Sequence, residues 1–155
     1  MERRLSAILA ADVVGYTRMM GADEAGTLDA LKAMRAEVVD PKVAEHQGRV
    51  VKLTGDGILV EFPSVVNAIA CAAAIQIEMR DRNSDRPRQR QFQFRIGVDL
   101  GDVIVEGEDI YGDGVNIAVR LESVAKSGGI VISQSVRDQI GNRLEIAFED
   151  YGERS

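Results

Sequence analysis

The side chains in this sequence that could do chemistry are carboxylates, lysines and arginines. Cys71 is the one cysteine and His46 the one histidine, which argues against a thiolate cluster, an imidazole metal site or a Ser-His-Asp triad. Asp56 is the first candidate. It stands at the Gly-Asp-Gly of VVKLTGDGILVEF, Val50 to Phe62, where two β-branched, largely apolar runs meet. Asp-Gly supplies the positive φ angles of a two-residue turn, so the stretch predicts a β-hairpin with a carboxylate at its tip and Lys52 inside an apolar strand. Asp12 lies near the end of a second apolar run, Arg4 to Val14, just before Gly15. Asn116 and Arg120, four apart, share a helical face, and Asp109 sits in the loop before that helix. Each has an ordinary alternative: a turn-forming Asp, a Lys that snorkels or pairs with Asp56 or Glu61, a loop Asp, a surface amide, and an Arg paired with Glu108 or Glu122.

The elements that must position these groups belong to one domain, residues 1–155, with 45% hydrophobic and 28% charged content. A net charge of −6 argues against broad nucleic-acid or anionic-membrane binding, so any phosphate must be held locally. The lone cysteine fits a reducing, cytoplasmic setting. The start, MERRLSAILAADVV, has the charge and apolar run of a signal peptide, but Asp12 interrupts the run and it reads as a strand. The apolar stretch Val65 to Ile75 is too short to cross a bilayer.

In chain order, a strand ending at Val14 turns at Gly15 into a short helix that Thr17 can cap. Asp23 opens a long amphipathic helix through Leu28, Leu31, Met34, Val38 and Val43, which Pro41 should bend or divide. After the hairpin, Ser64 caps an Ala-rich helix from Val65 to about Arg82, and a polar loop follows to Gln91. Phe92 to Val98 reads as a strand, Gly101-Asp102 as a turn, and Val103 to Val105 as its hairpin partner. A helix through Val115, Ala118, Val119 and Leu121 comes next. It is followed by a short strand, Ile130 to Ile132, a helix opened by Ser133 or Gln134, and a last strand, Leu144 to Phe148. Helices alternate with hairpins, so the sheet must be largely antiparallel, an α+β layer and not a doubly wound fold.

With these residues in view, the chain resembles the catalytic domain of the class III adenylate/guanylate cyclases, of the bacterial adenylate cyclase type. AADVVGYT is similar to that family's first metal-binding strand, KLTGDGILVEF to its second, and EDIYGDGVNIAVRLE to its purine-and-ribose segment. The resemblance implies a ferredoxin-like core and a head-to-tail homodimer that converts a nucleoside triphosphate to a 3′,5′-cyclic monophosphate and pyrophosphate. It implies Asp12, Asp56 and the Val13 carbonyl as ligands of two divalent cations, Mg²⁺ or Mn²⁺ and not Zn²⁺. Arg120 is then the transition-state arginine, Asn116 orients the ribose, and Lys52 and Asp109 read the base. Lysine can only donate and ionised aspartate can only accept, which suits the N1 and N6 of adenine and sets Asp109 against the O6 of guanine; ATP is the expected substrate. In the family the two metal carboxylates come from one chain and the base, ribose and arginine groups from the other. The expected partners are therefore ATP and a second copy of the chain, without nucleic acid or membrane, and with regulatory domains elsewhere in a longer protein. A catalytically silent regulatory module with the same fold, or a guanylate cyclase, is the alternative. The GGDEF signature of diguanylate cyclases is absent. No Lys follows Lys126, where the family has a triphosphate-binding lysine. The chain is therefore expected to lack its last strand, or to use N-terminal arginines such as Arg4 instead.

Overall fold

The structure is a computed structural model that describes residues 2–54 and 56–141. Its centre is β1 (Glu2–Val13), whose residues Ser6 to Ala11 are buried on both faces. The chain continues through α1 (Tyr16–Ala22), α2 (Glu24–Met34), α3 (Asp40–Glu45), β2 (Arg49–Thr54), β3 (Gly57–Phe62) and α4 (Val65–Asn83). It then runs through β4 (Phe94–Glu106), β5 (Asp109–Tyr111), α5 (Asp113–Val124), β6 (Ile130–Ile132) and α6 (Gln134–Ile140). The six-stranded sheet has the order β2-β3-β1-β4-β5, with β6 also on β4. All neighbours are antiparallel except β4 and β6. The segment from β1 to β4 has the strand–helix–strand–strand–helix–strand order and the central β1 of a ferredoxin-like core.

Alternation along β1 explains why helices lie on both sides. Ala7, Leu9, Ala11 and Val13 face a core built with Leu31, Met34, Val43, Ile69, Ala72 and Ile75 of the α2–α4 layer. Ile8 and Ala10 face the other way, onto Leu59, Val103, Ile110 and Ala118, where α5 lies. The contact under α5 is made possible by Gly97. A Cβ there would come within 2.3 Å of the Glu122 nitrogen and 2.4 Å of the Ala118 oxygen, so helix and strand touch backbone to backbone.

Several local expectations hold. Asp23, Ser64 and Ser133 each accept a backbone N–H at the start of α2, α4 and α6. Three do not. Thr17 does not cap α1; Gly15, with φ 71°, is its N-cap, and no side chain caps that end. Pro41 does not divide its helix. The helix widens into a π-turn over Arg35–Val39, the Asp40 N–H reaches back to the Arg35 carbonyl, and the proline falls in the first turn of α3, where its missing N–H is tolerated. The predicted turn at Gly101-Asp102 is absent, because β4 runs unbroken and pairs with β1 from Glu2↔Val105 to Val13↔Phe94. A continuous ladder outweighs a local Gly-Asp turn preference. Gly101 serves instead to admit α5, since a Cβ there would lie 3.0 Å from the Gly114 Cα. The reversal comes later, at Gly107 (φ 61°), between the paired Glu106 and Asp109. The predicted strand Leu144 to Phe148 lies outside the described residues. Among the described residues, no helix is long and apolar enough to cross a membrane.

Candidate active site

Asp12 and Asp56 converge because β1 and β3 are antiparallel neighbours. Ala11 pairs with Ile58, so the next residues along β1 lie beside the turn that precedes β3. The Val13 N–H donates to Asp56 Oδ2 at 3.3 Å and fixes that approach. On its other side Asp12 faces Arg95, its register partner on β4, with Asp12 Oδ1 3.5 Å from Arg95 Nε. Both atoms are buried and neither has a hydrogen-bond partner among the described residues, so Asp12 keeps an acceptor for a ligand. Two carboxylates with such an oxygen fit a hard divalent ion that completes its shell with water or phosphate oxygens. Among the described residues, no group of three or more His, Cys, Asp or Glu side chains could hold a metal ion.

Glu122 reaches the same place from α5. It is 8% exposed, and its carboxyl is pushed up to about 8, first by burial and then by Asp12 and Asp56, against the pull of Arg95.

Lys52 and Asp109 come together as well, from β2 and β5. Lys52 Nζ lies 3.2 Å from Asp109 Oδ2 and 5.4 Å from the centre of the Tyr111 ring. Burial tends to raise the Asp109 carboxyl, but the Ile110 N–H, Lys52 and Tyr111 outweigh it and hold the group below its ordinary value. Glu61 is not the lysine's partner, because Arg4, Arg49 and Ser6 occupy it at 2.6–3.0 Å. That engagement also commits Arg4, the N-terminal arginine considered for the triphosphate.

Asn116 and Arg120 lie exposed on α5, whose buried stripe is Gly114, Ala118 and Glu122. Among the described residues Arg120 has no ion-pair partner; Glu122 is turned inward to Asp12, so the ordinary alternative of a helix salt bridge is not formed. No hydrogen bond or ion pair among the described residues joins Asn116 or Arg120 to Asp12, Asp56, Lys52 or Asp109. A groove of about 430 Å³ between α4 and the Ser127-Gly128 turn contains none of these groups.

Over residues 4–155 the sequence matches the family described as "Adenylate and Guanylate cyclase catalytic domain". The chain belongs to this family. It is 51% identical over 152 residues to "Putative adenylate cyclase 3" of Rhizobium meliloti, covering 98% of this chain and 26% of that protein. It is 30% identical over 144 residues to an adenylate cyclase of Streptomyces coelicolor, covering 90% of this chain and 35% of that one. The cyclase domain thus spans about a quarter to a third of these relatives. A crystal structure of an adenylate/guanylate cyclase/hydrolase from Silicibacter pomeroyi is 43% identical, superposes with a TM-score of 0.91, and matches over 99% of this chain and 89% of that chain.

Three residues of this cyclase domain at the candidate site escape the sequence reading: Arg95, Tyr111 and Glu122. Glu122 had a signal, since it falls on the four-residue spacing of Gly114 and Ala118 that marks the inward face of α5. Arg95 had none, because its meeting with Asp12 depends on the β1–β4 register.

Proposed function

We propose that this domain is an adenylate cyclase that converts ATP to 3′,5′-cyclic AMP and pyrophosphate, at sites shared between the two chains of a homodimer. The observation that supports the choice of base is that Lys52 and Asp109, the donor and the acceptor that the family resemblance sets opposite adenine N1 and N6, lie together, 3.2 Å apart. Asp12, Asp56 and the Val13 carbonyl would hold two divalent cations, Mg²⁺ or Mn²⁺, whose chemistry there is to acidify the ribose 3′-hydroxyl and neutralise the leaving pyrophosphate.

The chain's own residues do the rest. Asn116 orients the ribose so that its 3′-oxygen stays in line with the α-phosphorus and the departing bridging oxygen. Arg120, with no carboxylate claiming it among the described residues, presents a planar fork of donors to the charge growing on the α-phosphoryl oxygens. Lys52 donates to adenine N1 and Asp109 accepts from the N6 amine, after releasing one another. That no ion pair among the described residues joins Arg120 to Asp12 or Asp56 supports a shared site. So do Tyr111, Ile117, Val119 and Val124, exposed apolar side chains on β5 and α5.

The test is an assay of the purified protein with ATP or GTP, each with Mg²⁺ or Mn²⁺, beside Asp56→Ala. Cyclic AMP made preferentially from ATP, dependent on the metal and lost by at least about a hundredfold in Asp56→Ala, is the expected result. Cyclic GMP as the main product would overturn the base assignment. Absence of both products would favour a regulatory module.

A further inference from the structure

We propose that Arg49 is a positioning residue for base discrimination, a brace that sets the gap between Lys52 and Asp109; this rests on the base-reading role given to that pair above. The two residues belong to β2 and β5, the opposite ends of the sheet path, and no backbone ladder joins those strands. Curling of the sheet brings the ends together, so the gap is set by side chains alone. Two links span it. One is the Lys52–Asp109 pair itself, which a purine must break in order to use either group. The other is Arg49, whose Nη1 donates to the Glu108 carbonyl at 2.9 Å, one residue before Asp109. The base does not consume that second link.

Arg49 can serve both sides because of a β-bulge. In a regular strand residues 49 and 52 would point to opposite faces. The register on β3 shifts between Val50 and Lys52, so Arg49 lies opposite Glu61 and Lys52 opposite Leu59, two residues apart on the same face of that strand. Arg49 is itself anchored: its Nη2 bonds Glu61 Oε1 at 3.0 Å, and Glu61 is 8% exposed and also held by Arg4 and Ser6. A guanidinium can bond the buried carboxylate and the carbonyl together, whereas an ammonium of similar length is a single point of contact.

The experiment compares wild type, Arg49→Ala, Arg49→Lys and Arg4→Ala as full-length dimers, measuring kcat/KM for ATP and GTP and, independently of turnover, the Kd of each nucleotide by calorimetry. Arg49→Ala should lower the ATP:GTP ratio about fivefold, the equivalent of one ordinary hydrogen bond, mainly through KM for ATP. Arg49→Lys should fall between. Arg4→Ala removes two other bonds to Glu61, from a side chain with no hydrogen bond to Glu108 among the described residues, and should leave the ratio unchanged. An unchanged ratio in Arg49→Ala, or an equal shift in Arg4→Ala, would overturn the brace and leave Arg49 a stabilising residue only. If the wild type prefers GTP, the base assignment fails on its own; the brace then stands if Arg49→Ala flattens that preference and falls if it does not. If neither nucleotide turns over, the Kd ratio decides in the same way.

Discussion

Among single residues, Glu61 shows how a charge is kept inside this protein. Burial alone would raise its carboxyl, but hydrogen bonds from Arg4, Ser6 and Arg49 outweigh burial and hold it at about 2. Its folded pKa lies below the ordinary 4.5, so the ionised form binds its partners and contributes stability above about pH 4.5. That contribution is lost as pH falls from there toward about 2. Glu61→Gln should be less stable than wild type by on the order of 2 kcal/mol at pH 7. In urea unfolding the difference should shrink steadily between pH 5 and pH 3; a gap independent of pH would show that packing and not charge is responsible. Asp12, Asp56, Asn116 and Arg120 were singled out by the three motifs that resemble the cyclase family, since a turn-forming Asp or an exposed amide and arginine is ordinary by itself. Glu61 was not, because a carboxylate within an apolar strand gives no hint of which cations will reach it from two other strands.

Among the elements, the backbone contact of α5 with β4 at Gly97 matters most for the site, since α5 carries Asn116 and Arg120 outward and Glu122 inward. Gly97→Ala forces a methyl into the backbone of Ala118 and Glu122 and should destabilise by roughly 1–3 kcal/mol or more. We expect its melting temperature to fall and its cyclase activity to fall further than the fraction unfolded explains. An unchanged melting temperature would mean that α5 does not sit this close. The β2–β3 hairpin and the caps Asp23, Ser64 and Ser133 were readable because they depend on a few adjacent residues. The straight path of β4 through Gly101-Asp102 and the bulge in β2 were not, because both are decided by pairing with residues far away in sequence. A turn signal competes with the ladder it interrupts, and here twelve registered pairs run through it.

For the whole molecule, the proposed site needs two copies of the chain, with aspartates from one and Asn116, Arg120, Lys52 and Asp109 from the other. Asp12→Ala and Arg120→Ala are each expected to be nearly inactive alone. Mixed under conditions where chains exchange, they should recover up to about a quarter of wild-type activity, because half the dimers are mixed and each of those has one intact site. Heterodimers that form but stay silent would remove the shared site. Specific activity should also decline on dilution below the dimer dissociation constant.

The seam between β2 and β5 has a consequence for how such a protein can change. Lys52 and Asp109 sit on strands that share no ladder with each other, and their side chains meet across a gap that the backbone does not close. Exchanging either side chain leaves every main-chain hydrogen bond of the sheet in place. On the base-reading role proposed for that pair, substrate preference can therefore drift, stepwise and through folded intermediates, while the rest of the scaffold stays the same.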